Sequence, residues 1–135
     1  MIKLFIGGKG SGKTKTLIEL TNNAAQASNG SVVCIEKGDK LKHEITYKAR
    51  LIDTDAYAVC DAEALYGFIA GILASNSDIT DIFVDSSLKI CGNDVAAFEQ
   101  MLPRLEKIVD AVNVNVVMSA SIPVEECPEG IKRYA

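Results

Sequence analysis

Residues 7–14 read Gly7-Gly8-Lys9-Gly10-Ser11-Gly12-Lys13-Thr14. They fit the pattern G-x-x-x-x-G-K-[ST], with Gly7, Gly12, Lys13 and Thr14 at its fixed positions. Each residue type has a physical reason. A phosphate chain is held by several backbone N–H groups converging on it, and only a loop nearly free of side chains wraps that closely. The helix that follows offers unpaired N–H groups and the positive end of its dipole. A lysine at position 13 then reaches the terminal phosphates, and a threonine hydroxyl at position 14 is suited to ligate Mg²⁺. The flanks agree, since Ile2-Lys3-Leu4-Phe5-Ile6 reads as a strand entering the loop and Thr16-Leu17-Ile18-Glu19-Leu20 as a helix leaving it. All eight residues from Gly7 to Thr14 are therefore expected to bind phosphate.

Outward from this stretch, strands and helices alternate. The periodicity predicts a helix from Lys13 to Ala27, stopped by Asn29-Gly30, then an apolar strand Ser31–Ile35 with Glu36 at its end. Lys40 to Arg50 is the most basic segment and reads as a solvated polar hairpin rather than a lid or a nucleic-acid patch. Tyr47–Ile52 reads as an edge strand closed by Asp53. Asp61 should cap a helix over 62–75 with Leu65, Ile69, Ile72 and Leu73 as its buried stripe; Gly67 and Gly71 weaken that helix and point to close packing against a neighbour. Ile79–Val84 is a strand ending in Asp85. Asn93 is read as the cap of the next helix, which Pro103 should kink, and Val114–Met118 is the last clear strand, ending at Ser119-Ala120-Ser121. Such alternation implies a three-layer α/β/α fold around a mainly parallel sheet, with ligands at the C-terminal ends of the strands.

Bulk properties narrow the function. The 135 residues are 48% hydrophobic, which suits one domain over 1–135. Net charge is −4 and the sequence pI is about 5.0, so nucleic acid is not favoured as a partner. Cys34, Cys60, Cys91 and Cys127 form no C-x-x-C pair, so zinc is not signalled, and Cys34 reads as a core thiol. The first strand begins at once and no apolar run is long enough to span a bilayer, so the expectation is a cytoplasmic protein with reduced thiols.

Carboxylates at strand ends complete the constellation. Asp85 ends an apolar strand, the place for the acidic residue that holds the Mg²⁺ shell beside a phosphate loop. At this point the sequence resembles the RecA-like branch of P-loop NTPases, with Gly7–Thr14 as the Walker A loop and Phe83-Val84-Asp85-Ser86 as the acidic strand. The resemblance covers most of residues 1–121. It implies that Glu36 orients or activates the attacking water and that Ser119, or with less weight Ser121, senses the γ-phosphate. More closely, the chain is similar to small single-domain ATP-binding proteins of Gram-positive gut and soil bacteria, some of them labelled twitching-motility ATPases. A hexameric motor, which that label implies, is not expected here: the sequence has a single His and no visible arginine-finger region other than the tail. Asp85 is followed by Ser86 rather than a second carboxylate, unlike many helicases and transporters. Thymidine kinases usually carry a zinc-binding Cys lobe and an Asp-Glu pair, and neither is found here.

The expected function is Mg²⁺-dependent binding of ATP or another NTP with slow hydrolysis, Lys13 and Glu36 being the catalytic residues and Thr14 and Asp85 the metal ligands. Two alternatives stay open. One is a small-molecule phosphotransferase with Glu36 or Asp53 as base, and the other a non-catalytic nucleotide sensor or assembly subunit. A homo-oligomer or an unknown protein partner is compatible with each.

Overall fold

The computed structural model describes all 135 residues. Five strands form one parallel sheet: β1 (Ile2–Gly7), β2 (Ser31–Glu36), β3 (Ala49–Asp53), β4 (Ile79–Val84) and β5 (Asn115–Ser121), in the spatial order β1-β5-β4-β2-β3. The principal helices are α1 (Lys13–Ala27), α2 (Ala62–Ser75) and α4 (Val95–Ala111), with single-turn helices α3 (Ser87–Ile90) and α5 (Glu129–Lys132).

The order explains the layers. From β1 the chain moves across the sheet to β2 and β3, then turns back to β4 and β5. Parallel crossovers are right-handed, so reversing direction moves the connecting helices to the opposite face. One face therefore carries α1 and the other α2 and α4. The strands alternate to serve both. Val33, Ile35, Ile82 and Val84 join the large core under α2 and α4, while Val32, Cys34 and Phe83 join a smaller core with Leu17 of α1. At their C-terminal ends the two directions of travel part, and the loop after β1 and the segment after β4 leave a cleft between them.

Several expectations are corrected. The β2–β3 connection is not a solvated hairpin along its length: Leu41 and Ile45 are buried in the α1-side core, and Asn22 of α1 accepts from the Thr46 N–H at 2.9 Å and donates to the Glu44 carbonyl at 2.9 Å. β3 begins at Ala49 rather than Tyr47, and Tyr47 is 92% exposed. It is an edge strand as expected. Asp94, not Asn93, caps α4, its carboxylate accepting from the Ala97 N–H at 3.0 Å. Asn93 takes a left-handed conformation with φ 60°, which asparagine tolerates. α4 continues through Pro103, which lies on the solvent side, where water can serve the carbonyl it leaves free. Burial of Phe98, Met101, Leu102, Leu105 and Val109 outweighs a cost of about 3 kcal/mol. β5 starts at Asn115 rather than Val114 and ends at Ser121, as expected, whereas α3 gives no sequence signal because four residues carry no readable periodicity.

Asp61 caps α2 as expected, with Leu65 and Ile69 buried and Ile72 and Leu73 half-buried. Gly67 and Gly71 do not mark close packing: a Cβ at either would meet nothing within 4 Å. Gly30 is the opposite case, because a Cβ there would collide with the Asp78 carbonyl oxygen, which also accepts from the Ser31 N–H. Gly30→Ala should therefore destabilise the fold by about 1–3 kcal/mol. Gly67→Ala should stabilise it by about 0.5–1 kcal/mol. Urea denaturation checks both signs, and equal midpoints for the two variants would contradict this packing.

Candidate functional site

The Gly-rich loop occupies the turn between β1 and α1. Gly10 and Gly12 have φ of 80° and 83°, values that side chains strongly disfavour, which is why the loop is built of glycine at those points. No side chain caps α1; its N-cap is Gly12 itself, so the first helical N–H groups face the cleft. Lys13 Nζ lies back on the loop, donating to the Gly8 carbonyl at 2.8 Å and to Ser11 Oγ at 3.0 Å. Burial lowers its pKa, and the nearby Asp85 charge acts in the opposite direction.

Three sequence-distant elements meet at Asp85, just past β4 and only 9% exposed. Its Oδ1 accepts from Thr14 Oγ1 at 3.0 Å and from Ser119 Oγ at 2.9 Å. Its Oδ2 accepts from Ser86 Oγ at 3.3 Å. Ser119, 2% exposed, in turn accepts from the Ser86 N–H at 2.8 Å, and its carbonyl accepts from Ser87 Oγ at 2.9 Å. Ser86 is held at φ 55°, in the left-handed region, which for a residue of its kind is a local cost met by these bonds. Thr14, Asp85 and Ser119 are thus brought together as expected. Ser86 and Ser87 were missed as partners, although the hydroxyl run after a strand-end Asp was the available signal.

Above this network lies a cavity of about 650 Å³, lined by residues 9–15, Lys40, Ser86, Leu88, Lys89, Asn93, Ser119 and Ser121. Five of its lining residues are lysines (Lys9, Lys13, Lys15, Lys40 and Lys89), none is Asp or Glu, and Leu88 is the one hydrophobic residue. No aromatic ring is present for a base to stack on. The chemistry on offer is anion binding through lysines, hydroxyls and loop N–H groups.

Glu36 stands elsewhere. It is 2% exposed at the end of β2 and does not line the cavity. Its Oε1 accepts from the Lys40 N–H at 3.0 Å and its Oε2 from the Leu41 N–H at 3.1 Å. Burial raises its pKa, with the Asp85 and Asp53 charges adding to that and the two backbone bonds working against it. Asp53, its register partner in β3, accepts from the Gly38 N–H at 2.7 Å and the Asp55 N–H at 2.8 Å through Oδ1. Both carboxylates read as possible bases therefore spend hydrogen bonds on the β2–β3 connection.

For Mg²⁺, the oxygens of Thr14 and Asp85 are hard donors within hydrogen-bond distance of each other. No group of three or more His, Cys, Asp or Glu side chains forms a cage. This donor set suits a cation that keeps most of its water and arrives with a phosphate ligand. Compared with known proteins, the chain matches no family model and no curated protein. No helix is long and apolar enough to cross a membrane.

Ser119 is the hub of the network, as donor to Asp85 and acceptor from Ser86. Ser119→Ala leaves the half-buried Ser86 N–H and one lone pair of the buried Asp85 unserved and should cost about 1–3 kcal/mol of stability. An unchanged urea midpoint would show that Thr14 and Ser86 hold Asp85 without it.

Proposed function

We propose that this chain binds ATP or another nucleoside triphosphate together with Mg²⁺ and slowly hydrolyses its terminal phosphate. The observation that carries the reading is the contact of Thr14, which lines a cavity with five lysines, with Asp85, which lies behind Thr14, Ser86 and Ser119 and does not itself line it. A glycine loop alone is a turn. A glycine loop whose helix begins with a hydroxyl against a buried strand-end carboxylate has both a phosphate cradle and a hard-cation site.

In this reading the N–H groups of residues 8–14 hold the β-phosphate, and the Lys13 ammonium leaves Gly8 and Ser11 for the β- and γ-oxygens. Thr14 and Asp85 would hold Mg²⁺, which, when bound, neutralises charge developing on the phosphates. Ser119 lies on β5, between β1 and β4, and lines the cavity, which supports the γ-phosphate-sensing role that the RecA-like resemblance implies for it. Catalysis comes mainly from fixed positive charge and alignment, which fits a slow reaction. With one apolar residue and no ring in the lining, the cavity reads phosphates rather than the base.

Lys13→Ala should weaken ATP binding about ten- to hundredfold, the worth of one charge-assisted hydrogen-bond set. Asp85→Asn should bind metal-free ATP nearly as well as the unaltered protein but lose the gain that Mg²⁺ provides. Calorimetric titrations with and without Mg²⁺ measure both. Equal ATP affinity in Lys13→Ala, or equal Mg²⁺ enhancement in Asp85→Asn, would contradict the proposal.

A further inference from the structure

We infer that Lys40 joins Lys13 and Ser119 at the terminal phosphate and supplies most of the cavity's preference for a triphosphate over a diphosphate, and that Glu36 acts on the cavity as the positioning residue for Lys40. The inference rests on the nucleotide-binding reading above and names a specificity determinant within that site.

Lys40 lines the same cavity as the Gly-rich loop but comes from a different strand end. In the sheet order β1-β5-β4-β2-β3, the loop leaves from β1 and Lys40 follows β2, with Ser119 and Asp85 between them. The ends of β4 and β2 are tied by the Asp85 N–H donating to the Ile35 carbonyl at 2.8 Å. In this proposal a triphosphate that starts in the loop and passes over Thr14 extends toward Lys40 across the cavity they share, and a diphosphate, one phosphate shorter, does not reach it.

The lysine is free and its backbone is not. Lys40 takes part in no ion pair, while Asp39 and Lys42 beside it face each other at 3.7 Å. Its own N–H is held by Glu36 Oε1 and that of Leu41 by Glu36 Oε2, and Leu41 is 3% exposed in the α1-side core. Asp53 fixes the start of the same turn through the Gly38 N–H. Two strand-end carboxylates and a buried leucine thus fix where the Lys40 side chain starts, so less ordering remains when an anion arrives. This also accounts for a buried Glu36 that does not line the cavity.

The test is a set of calorimetric affinities for Mg²⁺–ATP and Mg²⁺–ADP on the full chain, with ATPase rates measured alongside. Lys40→Ala should weaken ATP about tenfold, one charge-assisted contact, and leave ADP within about twofold. Lys40→Arg should keep most of the ATP preference. Glu36→Gln places an amide NH₂ against one of the two backbone N–H groups; it should lose the preference as Lys40→Ala does, and the double variant should be no worse than either single one. Lys40 is exposed, so its variants test the idea even if Glu36→Gln folds poorly. Equal loss of ATP and ADP in Lys40→Ala, or no loss of either, overturns the inference while leaving nucleotide binding intact. Slowed turnover in Glu36→Gln with an unaltered ATP-to-ADP ratio overturns the Glu36 part and places that carboxylate on the attacking water. Failure of the unaltered protein to bind either nucleotide removes the proposed function, and this inference with it.

Discussion

Asp85 Oδ1 accepts hydrogen bonds from Thr14 at the start of α1 and from Ser119 near the end of β5, joining pieces of chain far apart in sequence. A carboxylate taken out of water costs several kcal/mol unless donors replace its hydration. Here the replacements are three hydroxyls, with no cation in contact. Oδ1 and Thr14 Oγ1 are thus two hard oxygens within hydrogen-bond distance of each other, fixed beneath the cavity by the protein's own bonds. The sheet beneath is what makes this possible. β4 is buried on both faces, so its end is held in register with β2 and β5, and Asp85 cannot drift from its partners.

Charge is divided by location rather than averaged. The chain is acidic overall, yet the cavity gathers lysines from the Gly-rich loop, the β2–β3 connection and α3. In physiological salt the field of an exposed charge fades over about 8 Å, so an anion in the cavity meets these lysines rather than the distant carboxylates. The acidic residues near the site are turned to other work: Asp85 holds hydroxyls, and Glu36 and Asp53 hold backbone N–H groups. A lysine-lined cavity is thereby built on a chain that is acidic overall.

The legible part of this architecture was the part that rests on local chemistry. Glycine spacing at 7–14, apolar runs at 32–35 and 82–84 and the cap at Asp61 all follow from what a short stretch of backbone requires, and the strands, α1 and α2 stand close to where those signals put them. Errors arose where distant contacts decide. Gly67 and Gly71 read as packing residues, yet which side of α2 faces the core depends on α4, and they lie on the other side. The polar segment after β2 looked free because Leu41 and Ile45, two apolar residues among many charges, give no periodic signal; their partners are on α1 and the strands. Glu36 was correctly placed at a strand end, but the direction of its carboxylate depends on a turn whose geometry no single residue encodes.

The central claim is that the Gly-rich loop and the Asp85 network form one site for a phosphate chain with its metal. The most direct measurement is a ¹H–¹⁵N correlation spectrum of the full chain titrated with Mg²⁺–ATP. The amide signals of residues 8–14 should move furthest, joined by Ser86 and Ser119, while those along α2 stay in place. Changes concentrated on α2 or α5, or a spectrum unaltered at saturating nucleotide, would contradict the account.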